Sequence, residues 1–294
     1  MKILITGATG FIGRRLTKQL IDEGHYVFIN IHSETMSQID SRVFSYRLNE
    51  TNIDADTEFL KREGFDGIIH LASLYLTVHK PSDVLQLIDS NVRFGSYLLE
   101  CAANAKIPWF INTGTFWQNY ENAQYSPVNL YAATKQAFES IAKYYIETDR
   151  IKFCTLRLCD SYGPDDTRPK IFNLWNRIAL SGETFDMSPG NQLVDTVYID
   201  DIVNAFKKLT MHMQKKNFQM LNGSVYAVKA DKRYTLKELA GIFENVTDKK
   251  LNINWGTKPY REREIMIPWE DGITVPGWKP EITIQTGIKR TFVF

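Results

Sequence analysis

The candidate strand of residues 2–6, with its apolar run Ile3-Leu4-Ile5, leads directly into Thr6-Gly7-Ala8-Thr9-Gly10-Phe11-Ile12-Gly13, behind which apolar residues recur at helical spacing over residues 11–23. Few folds accommodate that order. Glycines at 7, 10 and 13 permit a tight turn, close approach of backbone to a pyrophosphate and close helix–strand packing, with the phosphates at the positive helix end. A glycine triplet alone also describes a flexible turn. The strand before it and the helix after it favour dinucleotide binding, with Gly7, Gly10, Phe11, Ile12 and Gly13 as cofactor contacts.

Strand-type runs at residues 26–31, 67–71, 109–113 and 152–158 alternate with helical patterns at 84–105 and 131–148. This order predicts an α/β fold: a doubly wound parallel sheet of the Rossmann type with a smaller C-terminal substrate lobe. Beyond Tyr162-Gly163-Pro164, prolines break the chain into short elements, although residues 197–199 and 225–228 still read as sheet strands. The expected division is a dinucleotide-binding domain of residues 1–162, rejoined by 196–228, and a substrate-binding lobe of 163–195 and 229–294. A chain of 294 residues that is 44% hydrophobic can bury a core of that size.

Thirty-five Lys and Arg against 34 Asp and Glu give a net charge of +1, which lacks the basic footprint of a nucleic-acid binder. Cys101, Cys154 and Cys159 have no metal-ligand spacing and lie in apolar stretches, so no metal is expected and a reduced setting is the default. No window approaches the roughly 20 apolar residues of a membrane helix, and no signal peptide is seen; a cytoplasmic location is the expectation.

An acidic residue at the end of the second strand would hydrogen-bond the adenosine ribose and repel a 2′-phosphate. Asn30-Ile31-His32-Ser33 stands there instead, and Arg14 and Arg15 follow the glycine loop. Absence of repulsion permits the phosphate, so NADP(H) is favoured with NAD(H) left open, and His32 and Ser33 become cofactor contacts. Tyr131 and Lys135 are four apart on a predicted helix and leave the same face. A nearby ammonium favours a phenolate and predicts a lowered tyrosine pKa, as proton exchange near working pH requires.

The glycine loop, Asp66-Gly67-Ile68-Ile69-His70-Leu71-Ala72-Ser73, Asn91, Tyr131-Ala132-Ala133-Thr134-Lys135, Arg157 to Pro164, Val197-Tyr198-Ile199-Asp200-Asp201 and Gly277-Trp278-Lys279-Pro280 together resemble the extended short-chain dehydrogenase/reductases. That group contains nucleotide-sugar epimerases, 4,6-dehydratases and 4-keto-reductases. Within it, residues 67–73, 110–113 and 261–266 are similar to the CDP-abequose and CDP-paratose synthases, which reduce a 4-keto group with NADPH. The resemblance implies cofactor contacts at Leu71, Ala72, Ser73, Asn91, Tyr131 and Lys135, and a catalytic set of Thr113, Tyr131 and Lys135, with Thr115 the fallback hydroxyl. Thr113 precedes Trp117 by four residues, as the family's hydroxyl precedes an aromatic.

The family's dehydratases carry Asp-Glu after that hydroxyl, whereas this chain has Gly114-Thr115; elimination would lack general catalysts each contributing about a hundredfold or more. The resemblance therefore implies a nucleotide-sugar 4-keto-reductase, with a nucleotide-sugar epimerase retaining NAD and a non-catalytic cofactor-binding protein as alternatives. Tyr75, Thr115, Asp160, Lys170, Arg261 and Arg263 are the candidate substrate contacts. Two positions depart from the family pattern: Val194 stands where an arginine is common before Asp195, and Asp160 where Asn is usual. A homodimer through residues 84–105 and 131–148 is also implied.

Overall fold

The computed structural model describes residues 1–31, 41–214 and 222–293. In chain order its elements are β1 (Lys2–Thr6), α1 (Phe11–Asp22), β2 (Tyr26–Asn30), β3 (Phe44–Tyr46), α2 (Ile53–Glu63), β4 (Gly67–His70), α3 (Val84–Ile88), α4 (Phe94–Asn104), β5 (Trp109–Thr115), α5 (Leu130–Glu147), β6 (Lys152–Leu158) and β7 (Asp160–Tyr162). There follow α6 (Ile171–Ser181), β8 (Phe185–Met187), β9 (Leu193–Val194), β10 (Thr196–Tyr198), α7 (Ile199–Met213), β11 (Val225–Val228), β12 (Tyr234–Thr235), α8 (Leu236–Thr247), β13 (Ile253–Trp255) and α9 (Ile284–Phe292).

A seven-stranded sheet runs in the order β11-β6-β5-β4-β1-β2-β3, with parallel pairings throughout. Its central strands are apolar on both faces: Ile3, Leu4, Ile5, Ile68, Ile69, Phe110 and Ile111 are fully buried, as helices on both sides require. One face packs beneath α1 and α7 through residues such as Leu16, Leu20 and Phe206; the other packs beneath α4 and α5 through Leu98, Leu99 and Phe138. The sequence order of strands reverses at β1, between β2 and β4. That reversal opens a crevice at the carboxyl ends of the strands, where such sheets take their ligands.

The differences from the sequence-based expectation have local causes. A π-helical turn, Asp89–Arg93, interrupts what reads as one helix over 84–105 and separates α3 from α4. Helix α2 is not expected from its few apolar residues, but Asn52 caps its start, its side chain accepting from Ala55 N–H, and left-handed Gly64 ends it. Residues 197–199 do not form a strand of the large sheet. β10 ends at Tyr198 and pairs only with β7, and Ile199 opens α7, which packs against α1. Among the described residues after β7, β11 alone rejoins the large sheet, while β8/β13 and β9/β12 form small sheets in the C-terminal part.

Candidate active site

A cavity of about 400 Å³ lies over the carboxyl ends of β1, β4 and β5 and gathers residues from the glycine loop to Arg263 and beyond. Its first wall begins at Gly7, whose φ of +68° admits a side chain only with strain and whose Cβ would lie 2.6 Å from Ala72 N. A Cβ on Gly13 would lie 2.2 Å from Gly7 O, so loop and helix close on each other without room for a methyl group. Helix α1 starts at Gly10 with no side-chain cap, leaving first-turn N–H groups for an anion. Gly7, Gly10, Phe11, Ile12 and Gly13 all line the cavity.

Thr6 clamps the crevice. Its Oγ1 lies 2.7 Å from His70 Nδ1 and accepts from Ala72 N–H at 3.2 Å, and its carbonyl accepts from Leu71 N–H at 3.1 Å. Burial, with Lys135 nearby, pulls His70 down to about 3, so the ring is neutral at ordinary pH and serves as a link between strands. Leu71 and Ser73 line the cavity, whereas Ala72 meets the glycine loop through its backbone.

Asn91 faces elsewhere. Buried in the π-helical turn, it accepts from Leu74 N–H at 2.8 Å and the Ser73 hydroxyl at 3.1 Å, and it donates to Leu74 O and Thr134 Oγ1 at 3.0 Å. Its amide anchors the 73–74 loop to α5 and is not among the cavity-lining groups. His32 and Ser33 lie outside the described residues. Before them, buried Asn30 accepts from Leu48 N–H, so its amide oxygen is engaged within the fold. Of the two arginines, Arg15 is committed to Asp200 at 2.5 Å, whereas Arg14 is exposed, its guanidinium 3.5 Å from the Asp165 carbonyl.

Tyr131, Lys135 and Thr113 all line the cavity. Asn129 caps α5, accepting from Ala132 N–H, and also donates to the carbonyls of Leu76 and Thr77, which ties the helix start to the 75–77 loop. Asn one residue before a helix is a recognisable cap, so the sequence itself carries the signal for Asn129. Thr113 Oγ1 donates to His70 O at 2.9 Å, and Thr113 and Thr115 share one face of β5 because strand side chains alternate.

The expected lowering of the tyrosine pKa is corrected here. Burial pushes the Tyr131 phenol up to about 12, with Tyr75 adding to the rise, while Lys170 and Arg168 pull only partly against it. Burial also pulls Lys135 down to about 8, with Glu139 opposing. Desolvation penalises both charged forms more than a single helical turn of separation rewards them.

Gly114 faces away from the two threonines. A Cβ there would lie 2.8 Å from Arg157 Cγ and 2.9 Å from both Gln118 Oε1 and Glu139 Oε1. These atoms belong to a buried network in which Arg157 Nη2 donates to Glu139 at 2.6 Å and Nη1 to Asn119 Oδ1 at 2.6 Å.

The opposite wall holds charges and rings. Lys170 Nζ donates to Asp160 at 2.7 Å and to the Tyr75 hydroxyl at 3.1 Å, and Tyr75 meets Tyr131 edge to face, 5.1 Å between centroids. Trp117, the aromatic that follows Thr113, and Arg168, which no sequence motif marks, join this wall; Arg168 pairs with Asp166 at 2.7 Å and lies over the Phe11 ring. Arg263 donates to Ser126 Oγ at 2.6 Å, and its buried Nε has no hydrogen-bond partner among the described residues. Arg261, exposed, sits at the mouth with Glu264 3.9 Å away. Both arginines also border a second hollow of about 230 Å³ adjoining Val128. No helix among the described residues is long and apolar enough to cross a membrane.

Residues 3–222 match the family described as NAD dependent epimerase/dehydratase. The chain is 30% identical to a CDP-abequose synthase of Salmonella muenchen, over 98% of this chain and 96% of that protein. A CDP-abequose synthase of Yersinia pseudotuberculosis is 29% identical, over 91% and 92%. Among solved structures, the UDP-glucuronic acid 4-epimerase of Bacillus cereus in complex with UDP-glucuronic acid and NAD superposes with a TM-score of 0.84 at 22% identity, covering 99% of this chain and 98% of that one. The UDP-glucose 4-epimerase of Thermotoga maritima with UDP-glucose gives 0.83 at 21%, covering 99% and 97%.

Proposed function

The chain belongs to the NAD dependent epimerase/dehydratase family, and on that premise we propose that it is an NADPH-dependent reductase of the 4-keto group of a nucleotide-activated, CDP-linked deoxysugar. The observation that carries the reading is the convergence of the glycine loop, Thr113, Tyr131 and Lys135 on one cavity whose Gly114 position has no room for an acid. Full-length similarity to two CDP-abequose synthases supports the sugar class. The division into a cofactor half, residues 1–162 with 196–228, and a substrate half, 163–195 with 229–294, follows from the same reading.

The tight loop at Gly7 and Gly13 and the uncapped start of α1 fit a dinucleotide pyrophosphate, which these backbone amides would hold. When bound, the reduced nicotinamide supplies a hydride to the ketone carbon. Tyr131 gives its phenolic proton to the ketone oxygen, which becomes the alcohol. A phenol held neutral by burial is the form a donor needs. Thr113 holds the same oxygen through its hydroxyl once it releases the His70 carbonyl. Lys135, whose ammonium has no hydrogen bond among the described residues, binds the nicotinamide ribose. Arg263, with its Nε unpartnered, takes the substrate diphosphate, with Arg261 beside it. Exposed Arg14 and the absence of a carboxylate at Asn30 and Ile31 support NADP(H).

A 4-epimerase that retains NAD uses the same three side chains, and the fold neighbours support it as a second reading. Incubating the protein with NADPH or NADH and CDP- and UDP-linked 4-keto-6-deoxyhexoses separates the two. Reduction consumes one reduced cofactor per alcohol formed; epimerisation interconverts isomers without net consumption; silence across the panel leaves only cofactor binding. Exposed Leu85, Ile88, Ile141 and Tyr144 on α3 and α5 support a homodimer through residues 84–105 and 131–148.

A further inference from the structure

One ion pair in the cavity has no role in the scheme above. Asp160 sits on β7 and Lys170 at the N-cap of α6, and their 2.7 Å contact bridges the two elements. The ammonium lies 4.5 Å above the Tyr75 ring and 5.8 Å from the Trp117 centroid. Tyr75 packs on Tyr131, so the pair is one aromatic ring from the proposed proton donor, where a sugar ring must come.

The two partners are not equally spent. Burial disfavours the ammonium, but Asp160 and Tyr75 outweigh it and hold Lys170 charged. Asp160 uses only Oδ1; Oδ2 makes no hydrogen bond among the described residues, and the side chain, 41% exposed, borders the cavity. A carboxylate oxygen only accepts, so what it asks of a ligand is a donor.

We propose that the Asp160–Lys170 pair is a specificity element that admits an uncharged, hydroxyl-bearing sugar ring and turns away a ring carrying a carboxylate. The inference rests on the nucleotide-sugar reading and deepens it. A ring hydroxyl donates to the open oxygen of Asp160. A uronic acid brings a second anion against a carboxylate whose cation is already engaged. The usual family residue at this position, Asn, would leave the Lys170 charge unpaired and reverse the preference.

Calorimetric titration of cofactor-loaded protein with CDP-glucose, CDP-glucuronic acid, their UDP counterparts, and CDP and UDP alone tests this. The wild type is expected to favour the glucose form over the glucuronic acid form of the same nucleotide by about tenfold or more. Asp160→Asn is expected to close or invert that ratio without changing the affinity for the nucleoside diphosphate. Lys170→Met, which keeps the carboxylate, is expected to preserve or widen it, and does so whether or not the Asp160 variant folds. Equal wild-type affinities, or a ratio that Asp160→Asn leaves intact, overturn the role of the pair while the nucleotide-sugar reading stands. Failure of every nucleotide probe to bind overturns both.

Discussion

The two walls of the cavity are made of different materials. The cofactor wall is a continuous stretch of chain, residues 6–13, that leaves backbone amides open and brings loop and helix closer than any methyl group allows. The opposite wall is assembled from Tyr75, Trp117, Asp160, Lys170 and Arg263, which are far apart in sequence; the first four are joined by an ion pair and by tilted and edge-to-face rings. The first wall works by backbone geometry and tolerates little change in size. The second works by which charge is paired with which, so one substitution can alter what it accepts without altering its shape.

Tyr131, between the walls, should give the largest effect. Tyr131→Phe is expected to lower turnover by about a hundredfold or more while cofactor and nucleotide affinities stay within a few fold, measured by steady-state cofactor oxidation beside equilibrium titration. Rates that survive the change would remove the proton donor from the scheme.

Lys135, on α5 and lining the same cavity, carries a pH signature. Its folded pKa, about 8, lies below the ordinary 10.5, so between those values the unfolded chain holds a proton that the folded chain has lost, and stability rises with pH. Below about 8 the fold bears the whole cost of a buried ammonium, on the order of 3 kcal/mol. Lys135→Met is therefore expected to unfold at higher denaturant than wild type at pH 7, with the gap narrowing as pH rises from about 8 to 10.5. A gap independent of pH would mean that this ammonium is well solvated.

Arg263→Ala is the smallest of the three and touches only the second wall. Loss of one charge-assisted contact is expected to weaken nucleoside diphosphate binding by about tenfold. Cofactor affinity should not move. Equal weakening of both ligands would mean that the two walls are not separable.

Much of the first wall could be read before any coordinates. The strand of residues 2–6, the glycines at 7, 10 and 13, and the four-residue step from Tyr131 to Lys135 all stand where the pattern puts them, and Thr113 shares their cavity. These are short-range features: a glycine demanded by backbone clearance, or two side chains on one helix face, is specified within a dozen residues. The switch in strand order at β1 follows from the alternation of strand and helix for a similar reason.

What depends on burial and on distant charges was decided only by the folded chain. Lysine beside tyrosine reads as a lowered phenol pKa, yet desolvation reverses the direction. Arg15 looks available for a phosphate until Asp200 meets it, and the Asn91 amide, a cofactor contact by resemblance, holds Ser73, Leu74 and Thr134 in the fold. Gly114 gains its meaning from Arg157 and Glu139, and Asp160 from Lys170. Composition and spacing count charges and hydroxyls, but the fold alone decides which are paired and how much water each keeps, because Coulomb and desolvation energies depend on distances the linear order does not contain.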